Sequence, residues 1–253
     1  NVDFIDIDKD TFNISLDKLK KKLFEAKKKK ILPKILVVVH FAGEPANLSA
    51  IYELSKKYKF KIIEDASHAL GSKYKKLPVG KPRYSDIICF SFHPVKPITT
   101  AEGGVSVTND YELAKKMRLL RNHGITRDLK DMKKKIKNYW YYEQKDLGYN
   151  YRMNDLEASL GLSQLKKLNI FTQKRQLIAK RYFKLLKNLP VKFQKIDDNN
   201  YSSYHLFVVC LNFKKIKKSY NYIFEYLRKR KIGVNKHYLP VYSHPYYRGT
   251  KKY

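Results

Sequence analysis

Cysteine is scarce in this chain: its 253 residues hold two, Cys89 and Cys210, both inside apolar runs. Two cysteines without metal-ligand spacing exclude a disulfide scaffold and a thiolate metal site, and make a reducing compartment, the cytoplasm, the expectation. Long apolar runs are missing as well. No run of about 18 apolar residues exists, which excludes a membrane-spanning helix. A charged-then-apolar leader is absent, so no secretory signal is expected. Internal repeats and low-complexity linkers are also absent. The chain opens at Asn1 in the middle of what reads as a strand, so residues of the natural protein are expected to lie before its first residue and after its last. What is present is a hydrophobic fraction of 43%, enough for a buried core beside 30% charged residues. The length suits one large domain, or a large domain with a small one.

Acidic residues are the other deficit: 23 Asp and Glu against 54 Lys and Arg, for a formal charge of +31. Such an excess invites a nucleic-acid reading, because phosphate neutralisation drives that binding. The distribution argues against it. The excess is mostly lysine, spread along the chain, and it accompanies abundant Ile, Asn, Tyr and Phe, a general compositional bias. The run Lys27–Lys30 ends a predicted helix, where cations suit the macrodipole; the run from Lys133 to Lys137 is interrupted by Ile136. We read the charge as a solvated surface, with steering of an anionic small substrate as its remaining use, and expect neither nucleic acid nor membrane as partner.

The periodicity predicts alternating strands and helices. Residues 3–7, 35–39, 60–64, 86–91 and 104–108 read as strands. Ser15 is placed to cap a helix with Leu16, Leu19 and Leu23 on one face, residues 48–58 carry Leu48, Ile51 and Leu54 at helical spacing, and a further helix is expected over 111–121. This alternation implies crossover units and a largely parallel sheet covered on both faces. Residues 126–146 read as a long basic and aromatic excursion. Asn154 and Glu157 form a capping-box pattern for a helix to about residue 167, and a second helix is expected over 171–187. Then come a strand over 204–211, a helix over 219–230 with Gly233 beyond it, and a strand over 232–238. A domain change is placed near residue 175: a large domain over 1–175 and a small α+β domain over 176–253.

Ligands of open parallel sheets bind at the carboxyl ends of the strands. There the third strand runs into Glu64-Asp65-Ala66-Ser67-His68, the fourth into Ser91-Phe92-His93-Pro94-Val95-Lys96, and Thr99-Thr100-Ala101-Glu102-Gly103-Gly104 leads into the fifth. An amine at such an edge can form a Schiff base with a carbonyl, and a carboxylate can keep a pyridine nitrogen protonated; the pair points to pyridoxal phosphate. Taken singly, each residue has a plainer reading: Lys96 as a solvated cation, Asp65 and Ser91 as caps, Asn150 as a turn residue.

In context, SFHPVKPITTAEGG (91–104) resembles the lysine motif of the DegT-type sugar-nucleotide aminotransferases, and IIEDASHALGSKY (62–74) resembles that family's aspartate motif. RNHGITRD (121–128), LGYNYRMNDLEASLGLSQL (147–165) and KIGVNKHYLPVYSHPYYR (231–248) are similar to further family blocks in the right order, so the resemblance runs from residue 1 to about 249. It is nearest to the subgroup that aminates C4 of a UDP-linked 4-keto-6-deoxy amino sugar on the way to pseudaminic acid. The resemblance implies a fold type I, aspartate aminotransferase-like α/β architecture with pyridoxal 5'-phosphate as coenzyme.

Position by position it implies that Lys96 holds the coenzyme as a Schiff base and relays the proton, and that Asp65 pairs with the pyridine nitrogen. It places His68 near the phenolic oxygen, where many relatives have Gln, and Ser91 at the phosphate. Asn150 would reach the phosphate of the neighbouring subunit, which makes a homodimer the minimal active unit. His237, Tyr238, Leu239 and Pro240 match the stretch that touches the sugar nucleotide. His123 and Arg152 lie near the site with no step assigned. The amino donor is expected to be glutamate. A related dehydrating branch carries His where this chain has Lys96, so the lysine argues for transamination. The family's first phosphate-binding turn has no counterpart here, nor have its last elements.

Amination at C3 or of a dTDP sugar stays open as an alternative, as does a regulatory homologue that binds coenzyme without turnover. His40 is read as a structural hydrogen bonder or a lining residue, His93 and His205 as structural. The aromatic run Tyr139-Trp140-Tyr141-Tyr142 is read as packing or a subunit contact.

Overall fold

The computed structural model describes residues 2–136 and 138–248, without the side chain of Arg248. Ser15 caps the first helix, α1 (Leu16–Lys28), by accepting the Lys18 N–H. Then follow β1 (Ile35–Val39), α2 (Leu48–Tyr58), β2 (Lys61–Asp65), a small hairpin of β3 (Lys73–Tyr74) and β4 (Leu77–Pro78), β5 (Ile87–Ser91), β6 (Gly104–Val107) and α3 (Tyr111–Arg121). The main sheet has the order β1-β2-β5-β6. β1–β2 and β2–β5 are parallel and β5–β6 is antiparallel, so the sheet is mainly parallel.

Alternation decides what each strand buries. Val38 on β1 and Ile62 on β2 join Leu19 and Leu23 of α1 and Leu48 and Ile51 of α2 in one cluster; Ile88 and Phe90 join Ala66, Ala69 and Val79 in another. Each of the larger of these side chains, the valines, leucines, isoleucines and Phe90, contributes about 1.5–3 kcal/mol by leaving water. The expectation that both faces are covered fails on β1. Val37, one residue out of phase with Val38, is 56% exposed, and Ile35 and Val39 share its face. The helices α1 and α2 cover one side of β1, and no described element covers the other.

Residues 3–7 do not form the expected strand; Ile7 makes one isolated bridge to Ile14. The aspartates are the cause. Asp3 and Asp6 each accept the next backbone N–H, and Asp8 accepts those of Asp10 and Thr11, so side chains take the donors a ladder would need.

The excursion after α3 holds β7 (Ile125–Thr126) and β8 (Glu143–Gln144), and Glu143 clamps it by accepting the N–H groups of Lys133 and Lys134. Asn154 and Glu157 complete the capping box of α4 (Asp155–Leu165). α5 (Leu168–Leu186) runs unbroken past residue 175. β9 (Val191–Phe193), unforeseen in the sequence, pairs antiparallel with β10 (Val209–Leu211). The short α6 (Phe213–Ile216), α7 (Tyr220–Lys229) and the final turn α8 (Pro245–Arg248) follow. No strand forms over 232–238, where no partner strand lies alongside among the described residues. No described helix is long and apolar enough to cross a membrane.

The expected strand over 204–211 shortens to its last residues because the segment before it is spent elsewhere. Ser203 N–H donates to Ser72 Oγ at 3.0 Å, Ser203 Oγ to the His68 carbonyl at 3.0 Å, and Gln176 Nε2 to the Ser202 carbonyl at 2.5 Å. Beside this seam Glu44 is buried. Its Oε1 accepts Asp197 N–H at 3.2 Å and Asn200 Nδ2 at 2.8 Å, while Oε2 has no partner among the described residues. Burial pushes its carboxyl up to about 7.

Candidate active site

β1, β2 and β5 run parallel, so their carboxyl ends share one edge. β1 leads into His40, β2 ends on Asp65 and β5 on Ser91. His40 N–H donates to the Asp65 carbonyl at 3.1 Å and Ala66 N–H to the Cys89 carbonyl at 2.9 Å, which locks the three ends side by side. Ser91 and Gly104 are paired across β5 and β6, so the connection that carries Lys96 leaves and re-enters the sheet at this same edge.

Local chemistry closes that connection. Phe92 N–H donates to the Gly103 carbonyl at 2.9 Å, and Thr100 N–H donates back to the Phe92 carbonyl at 3.0 Å. Lys96 sits at the end of a turn in which its N–H donates to His93 O at 2.9 Å. The paired glycines are a steric requirement: a Cβ on Gly103 would stand 2.5 Å from Thr100 Oγ1, and one on Gly104 would stand 2.6 Å from the Phe90 carbonyl oxygen. Ile98 is buried and anchors the loop. Lys96 is half-buried, and among the described residues its Nζ makes neither a hydrogen bond nor an ion pair. Asp65 is also half-buried; its Oδ1 accepts Ser67 N–H at 3.1 Å, and no described cation pairs with it.

One imidazole registers both groups. Burial and then the Lys96 charge push His68 down to about 4, with Asp65 pulling the other way and His237 adding a smaller downward push. Burial, then His68, Lys96, Arg175 and His237, push His205 down to about 3. His237 is lowered by burial and by Lys96. Charges act this way over short distances, so these side chains form one cluster. Ring contacts agree: the centroids of His68 and His205 are 4.5 Å apart, those of His68 and His237 6.3 Å, and those of Phe41 and His68 6.1 Å.

Asp65, His68, Lys96 and His237 are thus brought together. Ser91 stands at the same edge, its Oγ accepting His93 N–H at 3.4 Å, as a turn cap would. Tyr238, Leu239 and Pro240 follow His237 as exposed residues. Asn150 is exposed and bridges to Asn122, with no described contact to the cluster. Arg152 Nη1 donates to Asn122 Oδ1 at 2.7 Å, His123 is exposed, and His93 lies 3.9 Å from Glu102. The structural reading of His40 holds. Its Nδ1 accepts Ala46 N–H at 3.1 Å, so Nε2 carries the proton and donates to the buried Glu64 carboxylate at 2.8 Å. Trp140 and Tyr139 are largely exposed, so the packing reading of that aromatic run is not realised within the described residues. The sequence reading missed His205 and Arg175 as neighbours of the site. The available signal was Ser202-Ser203 before His205, two small polar residues able to tie a segment down before a strand begins.

The donor set fits pyridoxal phosphate. Among the described residues it offers an amine without a partner, a carboxylate without a cation, and an uncharged imidazole between their fields. These would answer the coenzyme's aldehyde, ring nitrogen and phenolic oxygen respectively.

A family model described as the DegT/DnrJ/EryC1/StrS aminotransferase family matches residues 1–253. The chain is 41% identical over 248 residues to UDP-4-amino-4,6-dideoxy-N-acetyl-beta-L-altrosamine transaminase of Campylobacter jejuni, covering 98% of this chain and 62% of that protein. The structure superposes with a TM-score of 0.86 on PseC of Helicobacter pylori, an aminotransferase of pseudoaminic acid biosynthesis, at 35% identity, covering 98% of this chain and 62% of that one. A protein of Streptococcus pneumoniae described as a sugar aminotransferase and solved in its PLP form gives a TM-score of 0.79 at 28% identity, covering 96% of this chain and 63% of that one. The chain therefore spans just over three fifths of the length of these relatives.

Proposed function

Because this chain belongs to the DegT/DnrJ/EryC1/StrS aminotransferase family, whose coenzyme is pyridoxal phosphate and whose fold is type I, we propose that the intact protein aminates C4 of a UDP-linked 4-keto-6-deoxy amino sugar, with glutamate as donor, in pseudaminic acid or surface polysaccharide biosynthesis. The observation that supports this is that the charges of Lys96 and Asp65 both act on His68, one half-buried imidazole. When bound, the coenzyme supplies an electron sink that allows a C–H bond beside an amine to be broken and remade.

The chain's own residues do the rest. Lys96 Nζ holds the coenzyme, then takes up and returns the proton that accompanies the amino group; the lack of a competing ion pair leaves it available for both tasks. The Asp65 carboxylate, oriented by Ser67 N–H, keeps the ring nitrogen protonated. His68 donates to the phenolic oxygen, and Ser91 receives the phosphate. His237 and the exposed stretch Tyr238-Leu239-Pro240 meet the sugar nucleotide. Asn150, with no described contact to its own cluster, serves the neighbouring subunit of a homodimer. The large domain over 1–175, the small domain over 176–253 and a cytoplasmic location belong to the same reading; two unpaired cysteines support the location.

The test is turnover of the full-length protein on a panel of 3-keto and 4-keto nucleotide sugars with glutamate. The expected result is a preference for the 4-keto UDP sugar and a visible coenzyme band that disappears in Lys96→Ala. Coenzyme binding without turnover on any sugar would replace the enzyme with a regulatory homologue, and a band that survives Lys96→Ala would overturn the role of Lys96.

A further inference from the structure

His205 stands outside every role assigned above, yet it is built against the site from three sides. It is 8% exposed, with its ring tilted 42° against His68. Behind it, Arg175 Nη1 donates to the carbonyls of Tyr204 and His205, both at 3.2 Å. Beside it, Ser203 Oγ holds the His68 carbonyl and Leu206 N–H donates to the Ala42 carbonyl at 3.3 Å. Gly43 makes the approach possible: a Cβ there would stand 2.6 Å from Ser203 Oγ and 3.2 Å from the His205 nitrogen. The buried Nδ1 of His205 has no partner among the described residues, so its hold on the site is ring contact rather than a hydrogen bond.

His68 is fixed from another direction as well. Ala42 N–H donates to His68 Nδ1 at 3.3 Å. Ala42 adopts φ 61°, a left-handed conformation that alanine rarely takes, and the turn that holds it is the one His205 packs over. A neutral imidazole that accepts at Nδ1 carries its proton on Nε2. Among the described residues Nε2 has no partner.

We propose that His205 is a positioning residue: its ring shields His68 and, with Ala42 N–H on Nδ1, holds His68 with its proton on Nε2, the donor offered to the coenzyme. The assignment to a coenzyme rests on the proposed function; the shielding does not. Lys96 and Asp65 face His68 from the sheet edge, His237 from the C-terminal segment, and Arg175 of α5 stands behind His205. With His205 in place, burial and Lys96 keep His68 uncharged down to about 4. Without that ring, water reaches the imidazole and relieves the leading cause of the shift.

The test is nitrogen-15 NMR of the histidine rings in the full-length protein, with His68 assigned by its loss in His68→Gln. Wild type should show the Nε2–H tautomer of His68 at neutral pH. In His205→Ala the His68 midpoint should climb from about 4 toward its ordinary 6.5, and in His205→Phe, which restores a ring, it should stay low. The acid limb of the coenzyme band should move with it in His205→Ala. An unchanged His68 midpoint in His205→Ala, or the Nδ1–H tautomer in wild type, overturns the proposal; the wild-type tautomer decides alone if the alanine variant does not fold. Absence of a Lys96-dependent band in wild type would sink the proposed function and leave the shielding standing.

Discussion

The edge of the sheet and the helices that follow it are built to different degrees of completion. At the edge, backbone and side-chain polar groups of residues 40–46, 65–72 and 202–206 are tied to one another, and the core beneath is buried. On α4 and α5, Leu156 is 83% exposed and Leu177 is 65% exposed, and Ile170, Leu162 and Leu185 are exposed with them. Single exposed leucines are ordinary, but apolar residues repeated along two successive helices are not. The difference separates two kinds of information. The edge is closed by contacts among these residues, whereas the apolar faces of α4 and α5 find no cover among the described residues and are the surface that the proposed homodimer would use.

The contrast breaks most sharply at Lys96. Lys96→Ala should lower turnover of the full-length protein by about 10²–10⁴-fold while circular dichroism stays unchanged; a smaller loss would move the proton relay elsewhere. Asp65→Asn should weaken coenzyme binding by roughly 10–100-fold, the worth of one charged hydrogen bond, measured by titration of the visible band. Gly43→Ala tests the seam itself. The new methyl meets Ser203 and the backbone of Tyr204 and His205 at φ +104°, and urea unfolding should report a loss of about 2–4 kcal/mol, from overpacking plus left-handed strain.

Glu44 sharpens the comparison through pH. Its folded carboxyl sits at about 7 against an ordinary 4.5, so the folded state keeps a proton that the unfolded state releases. That contribution is complete below 4.5, declines as pH rises and is gone above about 7. Its size is up to about 3 kcal/mol. Glu44→Gln should remove this decline, read as the wild-type-minus-variant difference in unfolding energy between pH 4.5 and 7, because His68 and His205, held low, titrate in the opposite sense over the same range; a difference that does not change with pH would show that Glu44 is solvated. The smallest effect belongs to the helices. Leu177→Lys should change the unfolding energy of this chain by no more than about 0.5 kcal/mol. Analytical ultracentrifugation of the full-length protein should nevertheless report weaker self-association.

Much of the edge was legible because its signals are local. Ser15, Asn154 and Glu157 announce helix starts through hydrogen bonds made within three residues, and Ile35–Val39 has only one compact way to be extended. Lys96 and Asp65 could be named because their motifs are contiguous in sequence. His205 could not. Its place depends on Ser203 meeting Ser72 and on Gly43 leaving room, contacts that span more than a hundred residues and leave no periodicity. Residues 3–7 misled for the opposite reason: Phe4, Ile5 and Ile7 suit a strand, but Asp3, Asp6 and Asp8 sat close enough to take the backbone donors first. Val37 and Val39 read as buried because an apolar run carries no mark of which face a helix will cover.

A chain with 44 lysines offers many wrong amines, so the central claim is best tested by asking which one the coenzyme chooses. Borohydride reduction of the full-length protein in the presence of pyridoxal phosphate, followed by peptide mass spectrometry, fixes the bond irreversibly. The coenzyme mass should fall on the peptide containing Lys96 and on no other in stoichiometric yield. Stoichiometric label on a different lysine, or scattered label with none preferred, would contradict the site.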